Sequence, residues 1–449
     1  MANPLQEAAV QAVELEAFAK GIPDYVYKGR TIYNFFKQNS KTYPVAITTA
    51  GGGVSRPAFE IPVRMQSGCA IFQATGNGDA LGRGTGSNWQ RGTQSPIGLF
   101  AGCEITYLAR IATQGPKRGL ISLRAEELKN SFNSFMQGVD AQFLSDGAGS
   151  LLQIPSTATV NNNTLGGANP SSIVGLGGQA NQLQEQQVVQ FFAAEGGSPR
   201  TGGVATATVS FVDGANDTVY FSTALPNNTA TGDFIMIQGS TGALNSGVTG
   251  IYTYQVSSNT GTVLNLSRAS FPGQLSTPNI NKNGFAINST DAYKAEILIG
   301  RGLGQENEAV KNFVWITSPD QQLANTQLFT NTLQGRFQAG EKVGEKGTDV
   351  VPRNMTPTYG GREVIVSYTA KQGRWDALCP EVWGIIETVE PSLYDFGDGV
   401  TTMPVPDFAG QGSYLTSSIF FYHCFLNLFN SNMKAGCIIS SAAVPSVTS

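Results

Sequence analysis

The sequence predicts an α+β fold that carries a small all-β insertion. Three observations point to it. An amphipathic run from Lys117 to Ser145 is long enough for a domain-spanning helix, a glycine-rich segment ahead of it lies between two strand-like stretches, and short strands recur from Val204 to Phe271. Periods of 3.6 and of 2 alternate along the chain in separate blocks, which is the pattern of segregated helices and sheets.

The helix is the clearest element. Ile121, Leu128, Phe132, Phe135, Val139 and Phe143 fall on one face, widened by Leu120, Leu123, Met136 and Leu144, while Glu126, Glu127, Lys129 and Asp140 lie outside that stripe. Asp146-Gly147-Ala148-Gly149 ends the run, as glycine after a helix commonly does. At 1.5 Å per residue such a helix reaches about 40 Å.

Upstream, Leu5, Ala8, Ala9, Ala12, Val13 and Leu15 recur at helical spacing until Gly21 and Pro23 stop them. This short amphipathic arm is either frayed in solution or docked on a neighbouring subunit. After Gly51-Gly52-Gly53, Ala58 to Met65 alternates like a strand. Gly76 to Gly98 is then packed with glycine, and Leu99 to Ile111 reads as the returning strand. Two strands joined by so long a tip describe a protruding hairpin. No lysine occurs between Lys41 and Lys117.

Downstream of the long helix, Ser156 to Asn181 is a polar connection and Gln184 to Ala194 reads as a short helix. Ala205–Val212, Thr218–Ser222, Phe234–Gln238, Ile251–Val256 and Thr262–Leu266 then read as strands punctuated by glycine, asparagine and proline, the pattern of a small barrel or sandwich. Mixed character returns after Asn288. Tyr293–Ile299 and Phe313–Thr317 read as strands, and Ser318-Pro319-Asp320 starts a helix through Gly335. Gly340 to Thr356 is a charged loop, Glu363–Tyr368 another strand, and Pro380–Glu387 a short helix. Ser418–Phe429 and Ala435–Ser441 read as a closing hairpin around Asn430-Ser431-Asn432.

Composition bounds what these elements do. The 449 residues allow about three domains. Only 13% are charged, about half the usual quarter, and the net charge is −4. No dense basic run exists beyond Gly115-Pro116-Lys117-Arg118, which disfavours sequence-specific DNA binding. No apolar stretch nears the roughly 20 residues of a membrane helix. Cys69, Cys103, Cys379, Cys424 and Cys437 form no CxxC pair, and the N-terminal run carries Glu7, Glu14 and Glu16 in place of a signal peptide. Both features predict a reducing cytoplasm during folding.

Catalytic patterns are missing as well. The single histidine, His423, neighbours Cys424 on a strand, where adjacent side chains point to opposite faces and cannot form a nucleophile–base couple. One histidine cannot build a multi-histidine metal site in one chain. Gly340 to Thr348 misses the P-loop spacing, and Gly82-x-Gly84-x-Gly86 misses the dinucleotide fingerprint. Carboxylate pairs of the kind used in glycoside hydrolysis leave no mark in a sequence and stay open; the reading is otherwise of a chain that is not an enzyme, with no cofactor and no metal.

Arm, glycine-tipped hairpin, long helix, β insertion, α/β unit and terminal apolar strands follow in that order. The hairpin spans Arg56-Pro57-Ala58-Phe59-Glu60-Ile61-Pro62-Val63 through Arg110, and the helix Lys117–Ser145. Val314-Trp315-Ile316-Thr317-Ser318-Pro319 forms a strand-to-helix step, Tyr359-Gly360-Gly361-Arg362-Glu363-Val364-Ile365-Val366 the following strand, and Ser418–Ser441 the closing strands. This arrangement resembles the major capsid protein of tailed bacteriophages, the Hong Kong 97-type fold. The resemblance implies an N-terminal arm over residues 1–49, an extended hairpin loop over 50–116, and a spine helix with the first part of a peripheral domain over 117–203. It further implies a β-rich insertion over 204–285, an axial domain over 286–412 and closing peripheral strands over 413–449.

The implied role is a container. Copies of the chain would form hexamers and pentamers of an icosahedral head around double-stranded DNA held without sequence specificity. Scaffolding, portal and decoration proteins are its implied partners, the host bacterial cytoplasm its place of assembly, the virion its final location, and no membrane is involved. Low charge suits faces that must meet without desolvating many ions. Arg83, Trp89 and Arg91, near the hairpin tip, are expected to lie against an adjacent subunit, the alternative being an exposed, mobile tip. Some family members cross-link a lysine on this loop to an asparagine on a neighbour. The lysine-free hairpin departs from that pattern and predicts non-covalent contacts. An encapsulin-like compartment and a β-rich tail or fibre protein are the rival readings.

Overall fold

The computed structural model describes residues 31–39, 41–43, 59–66, 86–106, 123–162, 171–194, 197–201, 205–239, 247–271, 273–303, 312–337, 358–396, 400–406 and 414–444. The amphipathic run Leu5–Leu15, the glycines from Gly76 to Gly84 and the loop Gly340–Thr356 lie outside them. The described chain forms two compact units. One is built from Ile97–Asp140 and Glu387–Leu426, the other from Thr31–Pro96, Ala141–Ile386 and Asn427–Ser449.

In the first unit the long strand Tyr414–Asn430 pairs antiparallel with Ile97–Thr106, from Ser417 opposite Thr106 to Leu426 opposite Ile97. Met403–Pro406 pairs with it too, Met403 opposite Ile419. Period-2 alternation buries Phe420, Tyr422, Cys424 and Leu426 on one face. The spine helix, Leu123–Phe143, covers that face with Phe132 and Phe135 from the stripe its sequence predicts, Leu120 and Ile121 lying outside the described residues. Phe132 and Phe135 place their rings 5.3 and 6.1 Å from Tyr422, whose hydroxyl donates to the Leu128 carbonyl at 2.7 Å. Burying a ring of this size contributes about 1.5–3 kcal/mol. Burial pushes the Tyr422 phenol up to about 12, with the nearby Cys103 adding to the shift.

This pairing corrects two expectations. Leu99–Ile111 is not the returning strand of the hairpin, since Ile97–Thr106 lies beside Tyr414–Asn430. Nor do the last two strands form a hairpin. A strand of 17 residues finds a ten-residue partner in Ile97–Thr106, while Asn432 caps a 3-10 turn, Met433–Ala435, that leads the chain away. The strand that follows, Cys437–Ser440, pairs in the second unit with Trp375–Leu378 and Asn279–Asn281.

The second unit holds a seven-stranded antiparallel sheet in the order Ser150–Gln153, Phe234–Ile237, Val188–Phe192, Ala207–Asp213, Thr218–Phe221, Ser171–Val174, Thr159–Asn161. Leu152, Ile173, Val189, Phe191, Val209, Val219, Phe221 and Ile235 form its core. The β module therefore begins at Ser150, upstream of the expected Val204. Gln184–Ala194 supplies a strand instead of a helix, because Phe191 and Val189 alternate into this core. Ile251–Val256 is likewise not a strand. Ile251–Tyr254 forms one helical turn with all four residues buried.

A six-stranded sheet follows, in the order Asn279–Asn281, Cys437–Ser440, Trp375–Leu378, Val314–Thr317, Arg362–Val366, Thr358–Tyr359. Trp315, Trp375 and Tyr359 pack at its centre, with ring centroids 4.9 to 5.9 Å apart. Pro319–Phe337 is the helix its Ser-Pro-Asp start predicts. Tyr293–Ile299, expected as a strand, lies inside the helix Ser289–Leu303. The helix wins because its start is capped reciprocally. Asn288 Oδ1 accepts from the Asp291 amide at 3.1 Å, and Asp291 accepts from the Asn288 amide at 3.0 Å. Asp291 is itself buried and paired with Lys282 at 2.7 Å. The expected helix Pro380–Glu387 shrinks to the 3-10 turn Pro380–Val382, after which Trp383–Leu393 runs as a strand.

Candidate assembly interface

The extended hairpin is formed by Phe59–Gln66 and Asn88–Gln94, antiparallel, with Pro62 opposite Arg91 and Arg64 opposite Trp89. Alternation sorts its faces. Ile61, Val63 and Met65 point inward and are buried, whereas Pro62, Arg64 and Gln66 are exposed. Phe59 packs on Phe429 with centroids 5.4 Å apart.

The outward face gathers two of the three residues singled out in the sequence. Trp89 is 57% exposed. Arg91 is 73% exposed and reaches Glu60 at 3.2 Å, an exposed pair of a kind worth about 0–1 kcal/mol. Arg83 lies outside the described residues. Sequence reasoning missed Arg64 and Pro62, which complete this face, although the alternation from Ala58 to Met65 already placed them opposite the apolar side chains.

Its inner end is fixed by three polar contacts, two of them fully buried. Gln94 Nε2 donates to Thr249 Oγ1 at 2.7 Å, Asn427 Nδ2 to the Ser95 carbonyl at 2.8 Å, and the Thr249 amide to Asn427 Oδ1 at 2.8 Å. Opposite Ile61 stands Gly92, where an added Cβ would lie 3.0 Å from the Leu264 Cβ. A side chain there would crowd Leu264 and require it to shift by a few tenths of an ångström.

A second aromatic surface belongs to the first unit. On the sheet face away from the spine helix, Gly98, Phe100 and Gly102 stand opposite Phe425, His423 and Phe421. A Cβ at Gly98 would meet the Phe425 ring at 2.8 Å, and one at Gly102 the Phe421 ring at 2.7 Å. The two glycines thus make room for rings to lie across the strand. Tyr394 packs on His423 and Phe396 at 5.1 Å each, and Phe100 is 55% exposed.

His423 is flanked by Phe100 and Tyr394, while Cys424 turns to the opposite, buried face. Burial pushes the thiols of Cys424 and Cys437 up to about 12, and raises that of Cys379, the reverse of what a nucleophilic cysteine needs. Among the described residues no group of three or more His, Cys, Asp or Glu side chains is placed to hold a metal ion. None of their helices is long and apolar enough to cross a membrane.

Among solved structures, the chain of the cyanophage A-1(L) capsid asymmetric unit matches over 95% of this chain and 98% of its own, at a TM-score of 0.52 and 11% identity. The protein has the fold of a phage capsid chain. The capsid of an empty GTA particle matches over 96% of both chains, with TM-score 0.44 and 10% identity. The holo-SrpI encapsulin complex from Synechococcus elongatus matches over 99% of this chain and 97% of its own, with TM-score 0.41 and 10% identity. No protein-family model matches the chain, and neither does any curated protein.

Proposed function

We propose that the chain is a major capsid protein whose copies assemble as hexamers and pentamers into an icosahedral head around double-stranded DNA. The observation that carries this reading is the shared fold with a capsid chain over nearly the whole length of both. Such a subunit must meet several neighbours, and the outward hairpin face offers a tryptophan and two arginines, residue types that dominate binding energy at protein interfaces. Arg64, Trp89 and Arg91 form the contact with an adjacent copy, Arg83 extends it, and the lysine-free hairpin makes the contact non-covalent.

Scaffolding, portal and decoration proteins act with the shell, which forms in the bacterial cytoplasm and becomes the virion. The acidic balance of −4 limits adhesion of the inner wall to packaged DNA. Particles isolated from the native source test the reading. Nuclease-protected double-stranded DNA inside, and a single band of chain length on denaturing gels, are expected. Protein cargo without DNA would point to a cellular compartment, and a ladder of covalent oligomers would contradict the non-covalent contact.

A further inference from the structure

Cations in this weakly charged chain are placed with partners. Arg200 pairs with Asp233 at 2.7 Å, Lys282 with Asp291 at 2.7 Å and Arg374 with Asp376 at 2.8 Å. The buried Arg268 donates instead to the carbonyls of Thr253 and Leu275, each at 2.6 Å. Arg64, Arg301 and Lys434 depart from that pattern, since among the described residues none of them has an ion pair. They are also neighbours. Arg64 and Lys434 line one cleft of about 320 Å³ in the second unit, and Arg301 precedes Gly302, which lines it too.

Local structure brings these charges together. Alternation along Phe59–Gln66 sends Arg64 and Gln66 to the exposed side. Opposite them, the helix Ser289–Leu303 ends against the 3-10 turn Met433–Ala435. Gly302 permits that approach, because a Cβ there would lie 2.9 Å from both the Cβ and the carbonyl oxygen of Lys434. Two contacts hold the turn in place. The Asn432 side chain accepts from the Lys434 amide at 3.2 Å, and the Thr277 hydroxyl donates to the Met433 carbonyl at 3.1 Å. Gln66, Gln274, Ser431 and Asn432 add polar groups to the lining, and no acidic side chain is found among the described residues there.

The charge does not balance within the chain. A helix C-terminus carries only about half a negative charge, whereas Arg64, Arg301 and Lys434 bring a full positive charge each. An anion removes the surplus. Arginine presents a planar fork and lysine a compact charge, both matched by phosphate oxygens, and side-chain amides and a hydroxyl supply further donors. The volume stands at the small end of ligand cavities, which run from about 300 to 1,000 Å³. We propose that this cleft binds a small polyanion built of linked phosphate groups, gripped by Arg64 and Lys434 with Arg301 at the rim. One copy supplies every residue named, so the inference does not depend on the shell reading.

Calorimetric titration of pyrophosphate into the full chain, kept dilute and unassembled at low salt, tests it. Saturable binding of one pyrophosphate per chain, with a dissociation constant of about 1 mM or tighter, is expected. The ligand should also raise the thermal midpoint of the chain, and added salt should weaken its binding. Arg64→Gln and Lys434→Gln should each weaken binding tenfold or more. Lys294→Gln removes the same charge from an exposed position earlier on the helix and should bind as wild type does. Absence of saturable binding, or equal weakening in all three variants, would overturn the site. So would displacement of pyrophosphate by a short DNA duplex at equal phosphate concentration, which would make the cleft a contact for nucleic acid.

Discussion

The side-chain amide of Asn427 donates to the carbonyl of Ser95 at 2.8 Å, joining positions 332 residues apart. Its oxygen accepts from the amides of Thr249 and Leu428, so one fully buried side chain ties three segments together. Buried polar groups are stabilising when every partner is satisfied and costly when one is lost. Asn427→Ala orphans the Ser95 carbonyl and the Thr249 and Leu428 amides. Urea unfolding should show a loss of about 3 kcal/mol, where an exposed Asn→Ala change costs under about 0.5 kcal/mol.

The outward hairpin face predicts the opposite separation. Trp89 and Arg91 are exposed in the single copy, so Trp89→Ala and Arg91→Ala should leave unfolding free energy within about 0.5 kcal/mol of wild type. The same changes should abolish or strongly slow the growth of large particles followed by light scattering. Loss of stability without loss of assembly would assign the two side chains a role inside the subunit.

Glycine at position 102 is a packing requirement. An added Cβ would stand 2.7 Å from the Phe421 ring and force it out of its position across the strand. Gly102→Ala should destabilise the chain by about 1–3 kcal/mol, the usual cost of overpacking. Gly86, whose Cβ would meet nothing within 4 Å, is the control, and Gly86→Ala should be near neutral.

The buried thiols fix a pH dependence. Cys424 and Cys437 are raised from 9.0 to about 12, chiefly by burial, because the folded chain favours the neutral form. Their contribution is complete below pH 9, where both states hold the proton. It declines as pH rises toward 12, since the unfolded chain ionises first, at a slope of about 1.4 kcal/mol per pH unit for each group. Urea midpoints should therefore be flat from pH 7 to 8.5 and fall by pH 10.5. Replacing both cysteines with alanine should flatten that fall.

How much of this was legible in the sequence depends on where each element draws its apolar surface. Leu128, Phe132, Phe135 and Val139 carry the spine helix's stripe within one segment, so its face could be read directly. The strand Ser171–Val174 could not be read so, because its burial comes from Val219 and Phe221 on its neighbour and from Asn161 covering Ser172. Tyr293–Ile299 looked like a strand because its apolar residues are dense. The deciding signal was Asn288 three residues before Asp291, a cap visible in sequence but outweighed by that run. Of the interface, Trp89 and Arg91 stood out by type and position. Asn427 did not, since it is an ordinary polar residue in an apolar strand.

The measurement that bears most directly on the whole account is electron microscopy of the purified chain under assembly conditions, with wild type beside Trp89→Ala. Closed shells with five- and six-fold capsomers from wild type, and none from the variant, are the predicted result. A wild-type chain that stays monomeric across salt, pH and concentration, and forms no shells in its source, would contradict it.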